Sequence, residues 1–126
     1  AIQAAMEDYT GVDVLIGIGG APEAVLAAAA LKCVGGEIQC KIWPRNDQER
    51  EKFKSEGVEL DQVFRTDDLV KGNDVSFAAT GITSGELLDG VQYFGWGART
   101  SSVMMRSHSG TVRYIHARHK WRKGKL

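Results

Sequence analysis

Residues 12–23, VDVLIGIGGAPE, constrain the fold more than any other part of the chain, because an apolar run ends in a glycine turn and passes at once into a proline-started helix. Val, Leu and Ile in near-continuous order over Val12–Ile18 predict a strand buried on both faces. Pro22 suits a first helical position, where its missing N–H would have had no intrahelical partner. The alanine-rich stretch Pro22–Val34, closed by Gly35-Gly36, predicts the helix. Strand followed by helix is an α/β signature. The junction also suits an anion: the N–H groups of Gly19, Gly20 and Ala21 can converge on an oxygen-rich ligand, and the helix adds its unpaired first-turn donors and positive dipole end. Glu23 does not fit a plain phosphate cradle. Its carboxylate repels a bound phosphate unless a divalent cation lies between them. The other reading of Glu23 is a first-turn acid favouring the helix dipole, worth at most about 1 kcal/mol. The residues alone leave both open.

Two better-known phosphate motifs are poorly matched. Gly17-Ile18-Gly19 supplies G-x-G after a strand, but the third glycine of a dinucleotide fingerprint would fall on Pro22. The Lys-Ser/Thr pair of a nucleotide triphosphatase loop is also lacking. A second glycine-rich turn, Thr80-Gly81-Ile82-Thr83-Ser84-Gly85, leaves the apolar strand predicted over Asp74–Thr80. In open α/β sheets ligands gather at the carboxyl ends of strands, so both turns could face one site.

Between these turns, Glu37–Trp43 alternates like a strand, and Asp47–Glu56 reads as a charged, solvent-facing helix capped by Asn46 or Asp47 and stopped by Gly57. Asp61–Arg65 suggests a short strand or connector, and Thr66 is placed to cap a short helix. Asp67 and Asp68 resemble metal ligands on paper, but their place at a helix start favours capping. Val91–Gly97, Thr100–Ser107 and Gly110–His119 read as strands, with Ser109-Gly110 as a hairpin turn. On that strand His116 and His119 fall on opposite faces, which argues against a shared metal, and His108 sits in the turn. No Ser-His-Asp arrangement can be assembled from the spacing.

At 126 residues, with 43% hydrophobic and 25% charged, the chain suits a single α/β domain over 1–126. Ala1–Glu7 reads as a helix cut short, since it begins without a capping residue. No run approaches a membrane span and no signal sequence opens the chain, so it reads as cytoplasmic. Cys33 and Cys40 lack metal or redox spacing and read as reduced packing residues. The formal net charge is zero but unevenly spread: residues 1–89 hold 16 acids and 8 bases, residues 90–126 no acid and 8 bases. Only Trp121 interleaves with the basic tail over residues 120–126, which is thin support for stacking on bases and argues against nucleic acid.

The segments GIGGAPEAVLAAAALKCVGGEIQ, TDDLVKGNDVSFAATGITSGELLDGV and VMMRSHSGTVRYI resemble the C-terminal part of class II fructose-1,6-bisphosphatases, including the type that also acts on sedoheptulose-1,7-bisphosphate. The resemblance runs from about Gly11 to about His119. It implies a mixed β-sheet flanked by helices, the C-terminal domain of the lithium-sensitive sugar phosphatase fold. It also implies a cytosolic, homo-oligomeric phosphatase dependent on Mg2+ or Mn2+, which removes the 1-phosphate of a sugar bisphosphate in carbohydrate metabolism. Carried onto this sequence, Glu23 is a metal ligand and Gly20 contacts substrate. Two positions depart from the family pattern: Ala24 stands where glycine usually follows the glutamate, and Ser101 replaces the histidine of the GGATTHS stretch. The remaining metal-binding acids, the catalytic hydroxyl and an Asp-Gly-Asp segment are expected upstream of Ala1, so the chain alone is expected to be inactive. The rival expectation is a non-catalytic phosphate- or nucleotide-binding module.

Overall fold

The computed structural model describes residues 12–121. The expected helix at Ala1–Glu7 and the tail residues 122–126 lie outside the described residues. Among the described residues two α-helices, α1 (Ala21–Val34) and α2 (Asp47–Ser55), and a single helical turn, α3 (Thr66–Leu69), accompany six strands. These are β1 (Gln39–Cys40), β2 (Phe64–Arg65), β3 (Ser76–Thr80), β4 (Gln92–Phe94), β5 (Gly97–Arg106) and β6 (Thr111–Lys120). The architecture is α/β, with strands flanked by helices, and every pairing among the described residues is antiparallel.

β5 is the spine of a four-stranded sheet. β6 pairs along its whole length, from Gly97 opposite Lys120 to Arg106 opposite Thr111. β3 and β4 therefore share the other edge, β3 against residues 102–106 and β4 against residues 97–99. The hairpin forms because residues 97–106 and 111–120 both alternate and are joined by Ser107–Gly110, where Gly110 takes a positive φ of 58°. Arg106 ties the start of β3 to the end of β5 through a two-pronged ion pair with Asp74, at 2.8 and 2.6 Å. The Arg106 guanidinium holds the Asp74 carboxyl below its ordinary value.

One face of the sheet carries Phe77, Ala79, Val103, Met105 and Val112, and α1 packs on it. Ala28, Ala30, Leu31 and Cys33 of α1 are buried, and the small alanines let the helix approach closely. The Cys33 thiol donates to the Val75 carbonyl at 3.4 Å, and burial pushes its pKa up. Both cysteines are free, as their spacing suggested. α1 ends where Gly35 adopts the left-handed conformation (φ 77°), a geometry glycine enters without Cβ strain. No helix among the described residues is long and apolar enough to cross a membrane.

Three sequence expectations change. Residues 12–20 form no strand, and Val14, Ile16 and Ile18 are 74%, 92% and 84% exposed. A strand buried on both faces needs a ladder at its edge and a layer over each side, and the described residues supply neither to this segment. The strand predicted over 37–43 shrinks to Gln39–Cys40 because its partner β2 is itself only two residues long. Thr66 does not cap α3. It is buried and its Oγ1 accepts from the Ile38 N–H at 3.0 Å, while Asp68 accepts from the Arg65 N–H at 2.8 Å to close the turn. Asp67 pairs with Lys32 at 2.5 Å, which pins α3 to α1. The two acids therefore serve as a cap and an ion-pair partner. α2 matches its expectation: the Asn46 side chain accepts from the Glu49 N–H at 2.8 Å, and the helix buries no residue.

Candidate functional site

The glycine turn ends at Gly20, the N-cap of α1, with φ −77° and ψ 161°. Its carbonyl accepts the first intrahelical bond from the Ala24 N–H at 3.1 Å. Among the described residues no side chain caps this 14-residue helix, and its first-turn donors are left for another acceptor. Glu23 folds its carboxylate back over the turn. A β-carbon on Gly20 would meet Glu23 Oε2, the far end of an exposed, flexible side chain, so the carboxylate lies directly beside the turn. Glu23 forms no ion pair among the described residues. Gly20 and Glu23 lie side by side at the helix start. Ala24 lies in the helix with its N–H committed to the ladder.

The turn is open and carries little around it. Glu23 is exposed, and among the described residues no group of three or more His, Cys, Asp or Glu side chains gathers to hold a metal ion. What the arrangement can do by itself is present backbone donors to an anion while offering one carboxylate beside it.

A second concavity, of about 310 Å³, lies on the sheet beyond the part covered by α1. It is lined by Arg99, Ser101, His116 and Arg118 on β5 and β6, with Asp89 and Gln92. Gly20 and Glu23 are not part of it. Its loop is held by the Gly81 N–H on the Ser101 carbonyl at 2.9 Å, by the Val91 N–H on the Ile82 carbonyl at 3.0 Å and by the Gly90 N–H on Ser84 Oγ at 3.0 Å. Ser101, one of the departures from the family pattern, is buried and shares a hydrogen bond with His116 Nδ1 at 3.2 Å. Thr100 Oγ1 and His119 Nε2 pair at 3.0 Å on the opposite face, so the two histidines do diverge. Asp89 forms no hydrogen bond with His116, and the three side chains do not make a triad. Sequence reasoning missed the Arg99–Arg118 pairing: the register follows from a four-residue connection, Ser107–Gly110, whereas a two-residue turn at Ser109-Gly110 would have set Arg99 opposite Lys120.

Residues 1–119 match the family model described as bacterial fructose-1,6-bisphosphatase, glpX-encoded. A D-fructose 1,6-bisphosphatase class 2/sedoheptulose 1,7-bisphosphatase of Synechococcus sp. (strain JA-3-3Ab) is 41% identical over 123 residues, which cover 87% of this chain and 35% of that protein. A fructose-1,6-bisphosphatase class 2 of Haemophilus influenzae is 40% identical over 121 residues, covering 86% of this chain and 36% of that protein. The chain thus spans about a third of the length of these curated relatives. With the GGAPE turn in place at the head of α1 and the match running through β6, the chain belongs to the class II, glpX-encoded family of bacterial fructose-1,6-bisphosphatases.

Proposed function

We propose that this chain forms the C-terminal part of a metal-dependent phosphatase acting on the 1-phosphate of fructose-1,6-bisphosphate, and that residues 1–126 alone are not catalytic. The observation that carries this reading is the Glu23 carboxylate folded over Gly20 at an uncapped helix start. In it, Gly20 and the first turn of α1 bind and orient an anionic sugar phosphate, and Glu23 supplies one ligand of a divalent cation, Mg2+ or Mn2+. Such a cation takes about six oxygen ligands. The described residues offer one carboxylate and no cluster, so they do not fit the whole metal site, and no step of hydrolysis is assigned to them. The remaining acids would come from elsewhere in a longer polypeptide.

The test is phosphate release from fructose-1,6-bisphosphate by purified residues 1–126, with Mg2+ or Mn2+ added. No metal-dependent release is expected, and clear release would refute the claim that the chain is incomplete. Binding separates the phosphatase reading from a phosphate- or nucleotide-binding module. The phosphatase reading predicts that, once the upstream part of the polypeptide is supplied, sugar-phosphate binding or hydrolysis depends on metal and is lost in Glu23→Ala. The module predicts binding indifferent to both.

A further inference from the structure

We propose that the concavity between the 81–91 loop and the Gly97 end of the sheet is a second anion site, which takes the phosphate group of a small phosphorylated ligand on Arg99 and Arg118. Strand register builds the wall of this concavity. β5 and β6 set Arg99 opposite Arg118 and Ser101 opposite His116. Directly opposed residues in an antiparallel pair share a face, so these side chains form two adjacent rows on one side of the sheet. All four line the same cavity.

Two guanidinium groups directly across a strand pair repel one another. Neither takes part in any ion pair among the described residues. The sequence that follows β6 and Trp121, Arg122-Lys123-Gly124-Lys125, adds only more positive charge. Aromatic rings hold the pair in place instead. Arg118 Cζ lies 3.9 Å from the centre of the Trp96 ring, and Arg99 Cζ lies 5.1 Å from Phe94 and 5.9 Å from Trp96, the two rings themselves stacked at 5.0 Å. These contacts restrain where the two guanidinium groups sit, and a guanidinium so held has N–H donors to offer a planar or tetrahedral oxyanion.

Ser101 and His116 complete the wall. Ser101 is 7% exposed, and its bond to His116 Nδ1 fixes the imidazole while Nε2 has no partner among the described residues. Among the described residues Asp89 is the one acid in the lining and it pairs with neither arginine, so there two positive charges face one negative charge. That balance selects an anion. At about 310 Å³ the cavity lies at the low end of small-molecule sites, which run from about 300 Å³ upward, and suits a phosphate with a small organic group.

The proposal is tested on purified residues 1–126 without divalent metal, with inorganic phosphate and a hexose 6-phosphate as probes, by following the Trp96 indole N–H and the arginine side chains by NMR. Saturable shifts at Trp96 are expected, weakened about tenfold or more by Arg99→Gln or Arg118→Gln. Arg113→Gln, on the opposite face of β6, should leave them unchanged. Tighter binding of the hexose phosphate would show that the organic group also makes contact, and equal binding would assign the site to phosphate alone; either supports the proposal. Absence of saturable shifts at Trp96, or shifts that survive both arginine variants, would overturn it. Shifts abolished by Glu23→Ala but not by the arginine variants would also overturn it, by moving the binding to the Gly20 turn. Failure here leaves the phosphatase reading intact, because that reading depends on metal and on Glu23.

Discussion

Met105→Ala gives the sharpest test of how α1 is held to the sheet. Met105 is fully buried, and it and Val103 are the largest fully buried side chains among the described residues, packed with Ala30 and Cys33. Truncation to alanine removes three heavy atoms, each worth about 0.8 kcal/mol of transfer free energy by the methylene scale. The void adds to this, because alanine and cysteine neighbours have little reach with which to fill it. A loss of about 3 kcal/mol is expected, inside the range of about 2–5 kcal/mol for such truncations. Against a typical domain stability of about 5–15 kcal/mol, that is a large fraction. Met104 is the internal control, since it points to the opposite face and is 45% exposed. Met104→Ala should cost less than about 1 kcal/mol. Urea denaturation followed by far-UV circular dichroism measures both, and equal m-values license the comparison. Equal losses at the two positions, or a smaller loss at Met105, would refute the register and the packing of α1 on this face.

Gly97→Ala should destabilise by about 2 kcal/mol or more, since φ is 156° and the new β-carbon would run into the backbone carbonyl of His119; a urea midpoint within error of the parent protein would contradict this. Asn46→Ala should cost about 1 kcal/mol by removing the cap of α2, read from the same curves. The Asp74 carboxyl has its pKa lowered, first by the hydrogen bond from Arg106, so its contribution is fully present above the ordinary carboxylate pKa of about 4 and is lost as pH falls through the lower folded value. Asp74→Asn should therefore flatten the acid side of a stability-versus-pH curve and leave its neutral-to-alkaline shape unchanged. An unchanged acid limb would rule the pair out as a contributor.

What could be seen in the sequence follows from the range of the forces involved. β5, β6 and their turn were legible because a two-residue period and a serine-glycine turn act within about ten residues. α1 and α2 were legible because Pro22, Gly35 and Asn46 mark their ends by local hydrogen-bond chemistry. Val12–Ile18 failed for the opposite reason. Its apolar composition states a demand for neighbours, and whether those neighbours exist is a non-local matter. Thr66 was read locally as a cap, whereas it bonds across to Ile38, 28 residues away in sequence. At the candidate site, Gly20 and Glu23 were readable because they share one turn. Arg99 and Arg118 lie 19 positions apart, and they meet only through strand register.

The central claim, that the Gly20–Glu23 turn belongs to a metal-dependent sugar bisphosphatase, is tested most directly by graft. Residues 1–119 would replace the matching segment of the Haemophilus influenzae relative, and metal-dependent phosphate release from fructose-1,6-bisphosphate would be measured with Glu23 intact and as Glu23→Ala. The account predicts activity in the graft and a loss of about a hundredfold or more on removal of the Glu23 carboxylate, the scale expected when a group that fixes charge at a reacting phosphate is deleted. An active graft that tolerates Glu23→Ala would contradict it.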